Sequence, residues 1–293
     1  MIFFSICIPA TRRHKTIFST LVSIARQTTR NFECIVTVGE FDKKTISEIE
    51  RFFSSDFFEN NHFDYKLITE RDSYISELEE WNEPVKLARG KYIAMLEGDD
   101  AYSTDYLKIA HDVLSLDPSI GLYCSRNQNG EIDFHDGKTD SKLANKAIYQ
   151  LRFTPPPSQT IFIRLDEKKQ PFYYTIDQYV YSPEIELYRN VTHSGFNVYN
   201  DKKNLVIRHI STNQNKGILW FYHQDACHFV NKFRHEHDFI NVVKASIALR
   251  SRMWLAIKKS LKKGKLPDHR LLLEMLSLEV FMYLLGRKYK YEV

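Results

Sequence analysis

The sequence predicts an α/β fold: a mostly parallel central sheet flanked by helices, followed by a helical C-terminal extension. Two observations carry this. Through the first 125 residues, short apolar, β-branched runs alternate with stretches of helical spacing, and such βαβ order implies parallel strands joined by right-handed crossovers. One of these runs, Tyr92 to Leu96, follows a turn at Gly90 and stops on Glu97-Gly98-Asp99-Asp100. Acids at that point sit where a strand leaves the sheet, the edge at which open α/β folds bind ligands.

Phe3 to Ile8 is an apolar run closed by Pro9, the pattern of a buried strand. Ile17, Leu21 and Ile24 recur at helical spacing, and strand character returns from Asn31 to Val38. Residues 43–58 read as a second helix, Phe63 to Ile68 as a third strand, and Ser76 to Ala88 as a helix interrupted near Pro84. Gly90 supplies the turn that ends it. Thr104 to Leu116 is an amphipathic helix that Ser103 or Thr104 can cap, with Leu107, Ala110, Val113 and Leu114 on one stripe. Ile120 to Ser125 is the next strand, and the polar stretch Asn127 to Asp140 suits a hairpin or loop. Pro155 to Pro157 stiffen the approach to a strand from Ile161 to Leu165, and Pro183 with Glu184 and Glu186 suits the first turn of another helix. From Trp220 the chain turns helical and basic.

Composition supports a folded globular protein, with 14% aromatics and few Gly or Pro. The formal charge of +4 is uneven: Lys258-Lys259 and Lys262-Lys263 belong to a basic C-terminal third that suggests an acidic surface or partner, with nothing that points to nucleic acid. Cys7, Cys34, Cys124 and Cys227 lie far apart without a CxxC pair, which fits a reducing compartment and speaks against a zinc site. His235 and His237 beside Glu236 and Asp238 read as a metal site or a hydrophilic helix start. The N-terminus lacks a basic segment ahead of its apolar run, and no stretch reaches the roughly 18 apolar residues of a membrane span. A cytoplasmic protein is expected. Its basic C-terminal helices suit a peripheral contact with the inner face of a membrane, a homodimer contact, or packing on the domain.

Three carboxylates in four residues raise one another's pKa unless a cation sits between them. Oxygen-only ligands favour a hard divalent ion, so Glu97, Asp99 and Asp100 are candidate ligands for Mn2+ or Mg2+. The same residues also suit an acidic surface turn that caps the next helix.

Five segments in order, Ser5-Ile-Cys-Ile-Pro-Ala-Thr11, Leu21-Val-Ser-Ile-Ala-Arg-Gln27-Thr28, Asn31-Phe-Glu-Cys-Ile-Val36, Ala88-Arg-Gly-Lys-Tyr-Ile93 and Glu97-Gly-Asp-Asp100, resemble the successive signatures of family 2 glycosyltransferases. The resemblance implies a GT-A fold that binds a nucleotide sugar, a UDP-sugar first, with a metal-binding DXD motif. Residues 1–218 would be the GT-A domain, with 1–125 as its nucleotide-sugar half and 126–218 as its acceptor side, and 219–293 a helical, basic subdomain. Pro9, Ala10 and Thr11 would line the nucleotide pocket, and Asp99, with Glu97 or Asp100, would ligate the metal. The family's Asp pair after the second strand is replaced by Val38-Gly39-Glu40, so Glu40 is the candidate nucleoside contact. Trp81-Asn82 stands where the family has Arg-Asn, which leaves Arg71 or Lys86 as substitute cations, or as solvated surface residues.

Ser158 and Gln159 are candidate hydrogen-bonders to an acceptor sugar. By alignment on Leu187 with the corresponding helix of family 2 enzymes, the resemblance implies Glu184 as general base, with Glu186 the adjacent alternative, and Arg208-His209 resembles the basic element that can face the diphosphate. A plain helix N-terminus and a strand-end surface pair are the other readings of these residues. The implied reaction is inverting transfer to a hydroxyl of a glycan or lipid-linked acceptor, as in surface polysaccharide synthesis. Two other readings stay open. A nucleotidyltransferase would want Gly in the loop Thr11-Arg12-Arg13-His14-Lys15, which has none; a catalytically weak binding protein would explain the altered Asp pair and base segment.

Overall fold

The computed structural model describes residues 2–69, 77–127, 136–153, 155–164, 172–174, 183–208, 218–238, 240–242 and 244–249, with Trp254 and Lys258. In chain order they form β1 (Phe4–Pro9), α1 (Ile17–Ala25), β2 (Phe32–Thr37), α2 (Lys43–Phe53), α3 (Asp56–Asn60), β3 (Asp64–Ile68), α4 (Glu77–Leu87), β4 (Tyr92–Met95), β5 (Asp100–Tyr102) and α5 (Tyr106–Leu116). Then come β6 (Ile120–Asn127), β7 (Gly137–Thr139), α6 (Ser141–Tyr149), β8 (Thr160–Ile163), α7 (Glu184–His193), β9 (Asn197–Arg208) and α8 (Ile218–Phe233). Short 3-10 turns cover Pro157–Gln159 and Arg234–Glu236.

The sheet runs β3-β2-β1-β4-β8-β6-β9-β5, with β7 also on β9. β3, β2, β1 and β4 are parallel, so their carboxyl ends share one edge. Every residue of β1, β2 and β4 is buried, as expected for strands covered on both faces. β8 turns antiparallel between β4 and β6, and β9 lies parallel to β6 and antiparallel to β5.

Three details differ from the sequence expectation, each for a local reason. The helix over 43–58 is two, because Ser55 accepts the Phe58 amide on its hydroxyl (3.3 Å) and restarts the chain as α3. α4 runs through Pro84 without interruption; the carbonyl of Glu80, which a Pro four residues on cannot bond, is met instead by the Thr37 hydroxyl at 3.4 Å. α5 starts at Tyr106 and is capped neither by Ser103 nor by Thr104. Gln27 does that work from the end of α1, accepting the Leu107 amide (3.0 Å) and donating to the Ser103 carbonyl (2.7 Å).

Gly90 is needed for proximity rather than for a left-handed turn. A Cβ there would lie 2.5 Å from the Ser5 nitrogen and 2.6 Å from the Phe4 carbonyl carbon, so α4 feeds β4 against the backbone of β1. The Gly90 amide also donates to the Ser5 hydroxyl at 2.8 Å.

The chain divides into two compact units: Met1–Ala144 with Pro155–Tyr174 and Asn190–Ile210, and Asn145–Thr154 with Thr175–Arg189 and Ser211–Val293. The first contains the sheet. In the second, Tyr149 stacks on His237 with ring centres 3.7 Å apart and donates its hydroxyl to the Val230 carbonyl (3.2 Å). Gln150 donates to Asn241 (2.6 Å), Arg189 pairs with Glu236, and Lys232 holds both oxygens of Glu186 at 2.9 Å. His237 is therefore a packing residue, and His235 is mostly exposed. Among the described residues no helix is long and apolar enough to cross a membrane. Arg71, His209 and the basic and apolar helices expected beyond Lys258, with their membrane and dimer contacts, lie outside the described residues.

Candidate active site

The site is built from one turn. Glu97 to Asp100 is closed by the Asp100 amide donating to the Glu97 carbonyl at 2.9 Å, immediately after β4 and beside the end of β1. Its backbone is held from three directions. The Glu97 amide donates to the Ser158 hydroxyl (3.0 Å), the Thr16 hydroxyl to the Gly98 carbonyl (2.9 Å), and the Thr20 hydroxyl to the Asp100 carbonyl (2.8 Å). So fixed, the carboxylate oxygens of Glu97, Asp99 and Asp100 lie within 4.8 Å of one another. Asp100 is buried and the other two are half-buried. Three hard oxygen donors at this spacing fit Mg2+ or Mn2+, and they form the one such group among the described residues.

The loop after β1 leans on the same turn. Arg13 places Nε 3.5 Å from Asp99 Oδ1. Its stem lies across Gly98, where a Cβ would meet Arg13 Cγ at 3.0 Å and the Pro9 carbonyl oxygen at 3.2 Å. Arg12 is left-handed, with φ 65°, and donates its amide to Asp42 Oδ2 at 2.5 Å. Ala10 and Thr11 both give their amides to Glu80 Oε1 (3.1 and 3.0 Å), and the Thr11 hydroxyl donates to the same oxygen (2.7 Å) while accepting the Gly39 amide (2.9 Å). Pro9, Ala10 and Thr11 thus stand at the sheet edge next to the acids, with a carboxylate from α4 gathering the Ala10 and Thr11 amides.

Two acids that act here were not singled out from the sequence. Glu80 stands one place before Trp81-Asn82, and that adjacency was its only signal. Asp42 closes the segment after β2 and takes the Arg12 amide. Burial works against its ionisation, but hydrogen bonds from Thr45 and the Arg12 amide, with the nearby His14, outweigh it and hold its carboxyl below the usual range. Glu40 is exposed and 3.6 Å from Lys43. Asn82 spends its amide on the backbone of Tyr174 (2.8 and 2.9 Å), and exposed Lys86 pairs with Glu83 (2.8 Å).

Ser158 is fully buried and positions Glu97. Gln159 is also fully buried, yet neither polar atom of its amide has a hydrogen-bond partner among the described residues. Strand register sets Arg208 directly across from Asp100. Glu184 and Glu186 both lie in the first turn of α7 and are both buried; within their unit Glu186 is bound by Lys232.

The sequence model described as glycosyl transferase family 2 matches residues 5–175, more than half of the chain. The chain belongs to glycosyl transferase family 2. The span that carries the family signature includes the acid turn, the loop after β1, Ser158 and Gln159, and stops before Glu184 and Arg208. Comparison with curated proteins gives no match. Among solved structures the chain is similar to S. aureus TarS (TM-score 0.60, 16% identity, covering 86% of this chain and 43% of that one). It is similar to TarS 1–349 in complex with UDP-GlcNAc (0.59, 15%, 86% and 80%). A third is the mannosyltransferase PcManGT of Pyrobaculum calidifontis in complex with GDP-Man and Mn2+ (0.57, 14%, 96% and 83%). The chain thus spans less than half of the longer TarS chain and most of its 1–349 segment. At these identities the likeness is one of fold, the GT-A fold.

Proposed function

We propose that this chain is an inverting, metal-dependent glycosyltransferase that moves a sugar from a nucleotide-diphosphate sugar to a hydroxyl of a glycan or lipid-linked acceptor. The observation that carries this reading is the turn at the end of β4, where three carboxylates converge beside the β1 loop. Donors seen with the similar structures, UDP-GlcNAc and GDP-Man, make UDP- and GDP-sugars the first to test. Mn2+ or Mg2+ held by Asp99, Glu97 and Asp100 would supply positive charge against the diphosphate and the departing nucleoside diphosphate.

Pro9 to Thr11 would receive the nucleoside, in a loop whose shape is set by Glu80 and Asp42 rather than by the family's Asp pair. Arg208, across from Asp100, supports the diphosphate. Glu184 is the general base: it takes the proton from the acceptor hydroxyl as that oxygen attacks the anomeric carbon and the bond to the diphosphate breaks. Glu186 is the weaker candidate, since Lys232 already neutralises it. Ser158 serves the acceptor indirectly, through Glu97, and Gln159 is the polar group of that turn left for a sugar.

The test is nucleoside diphosphate release from a panel of UDP- and GDP-sugars with Mn2+, with and without oligosaccharide or lipid-linked sugar acceptors. Glu184→Gln should lower kcat by about 10²–10⁴ and leave donor affinity within about twofold. Unchanged turnover would move the base elsewhere. Donor binding without any transfer would favour the binding-protein reading.

A further inference from the structure

We propose that Arg13 is a donor-binding residue that exchanges partners: it pairs with Asp99 until a divalent ion takes the carboxylate and then turns to the donor's diphosphate. This rests on the transferase reading above and supplies the phosphate-contacting cation that the sequence lacks at Trp81.

Charge is the first argument. Three close carboxylates repel one another, and Arg13 sets a positive charge 3.5 Å from Asp99, the charge that a divalent ion would replace. The pair is 3.5 Å apart and the Arg13 side chain is 30% exposed, so the contact with Asp99 is screened and weak. A diphosphate is a better partner, because guanidinium and phosphate oxygens match in geometry as well as charge.

Placement is the second argument. Arg13 enters the site through a backbone that is held in an uncommon shape. Arg12 before it is left-handed, a strained conformation for a non-glycine residue, and Asp42 holds it there. The Arg13 carbonyl receives the amides of Thr16 and Ile17 (2.9 Å each), so the residue is welded to the entry of α1. The entry of α1 is itself tied to the acid turn, since the Thr16 hydroxyl donates to the Gly98 carbonyl. Gly98 completes the seat, since any side chain at that position would meet the Arg13 stem. An arginine serving only as a surface ion pair needs none of this.

Exchange makes a signed prediction. Without nucleotide Arg13 competes with the metal for Asp99; with nucleotide bound it adds to the hold on the diphosphate. Mn2+ binding is read by electron paramagnetic resonance of free Mn2+, alone and with saturating UDP or GDP, and UDP against UMP is compared by competition. Arg13→Gln should bind Mn2+ alone about threefold or more tightly than wild type, yet bind UDP or GDP with Mn2+ at least tenfold more weakly, and its preference for UDP over UMP should collapse. Arg13→Lys, which keeps the charge without the fork, should recover part of that preference and stands in if the glutamine variant folds poorly. Weaker binding of both Mn2+ and nucleotide in the variants would overturn the exchange and leave Arg13 as packing for Gly98. Unchanged nucleotide affinity would also overturn it. Failure of wild type itself to bind Mn2+ with either nucleotide would instead refute the transferase reading, so the two failures are distinguishable.

Discussion

Glu33 shows at the level of one residue how a carboxylate is kept inside a parallel strand. It is 5% exposed, and it accepts the Ser5 hydroxyl (2.7 Å), the Arg89 amide (2.7 Å) and Arg89 Nε (2.8 Å). Burial opposes its ionisation, but these bonds and the Arg89 charge outweigh burial and lower its pKa. Because the folded value lies below the unfolded one, Glu33 contributes stability that is fully present above about pH 4.3 and is lost as pH falls through the folded value. Glu33→Gln should therefore cost about 1–3 kcal/mol at pH 7, and its deficit against wild type should shrink below about pH 4. Urea unfolding across pH 3 to 7 measures this, and a deficit that is constant with pH would assign the loss to packing. The sequence displayed Ala88-Arg-Gly as a motif but not this pairing, since the partners are joined only when α4 returns the chain to β1.

Among elements, the short turn Pro157–Gln159 joins fold to site most closely. Its prolines were legible as a stiff approach to β8, and so was the polar character of Ser158 and Gln159. Their division of labour was not: Ser158 fixes the Glu97 amide, while Gln159 keeps a buried amide without a partner among the described residues. An unsatisfied buried amide costs about 1–3 kcal/mol. Gln159→Met should accordingly leave stability unchanged or raise it by about 1 kcal/mol while lowering transfer about tenfold or more, read by urea unfolding beside the release assay. A variant that is less stable and fully active would make Gln159 a structural residue. β1, β2 and β4 could be read because each is a short run dominated by apolar and β-branched residues. β9 could not, because Asn197 to Asn204 carries the polar run Asn-Asp-Lys-Lys-Asn, and β5 is too short to show a period.

For the whole molecule, what sequence revealed follows from locality. The three acids lie within four residues, so their convergence was visible in the chain, as was the parallel sheet that places them at its edge. Glu80, Asp42 and Arg13 gain their roles only when α4, the segment after β2 and the loop after β1 meet at that edge. The central claim is that this edge binds a nucleotide sugar through a metal on Asp99. Thermal unfolding with UDP or GDP, with and without Mn2+, in wild type and Asp99→Asn, tests it most directly. Nucleotide at about 100 times its Kd contributes about 2.7 kcal/mol, or about 5 °C for a chain of this size. Wild type should show that rise only when Mn2+ is present, and Asp99→Asn should show almost none. An equal rise without metal, or one undiminished in Asp99→Asn, would contradict the metal site.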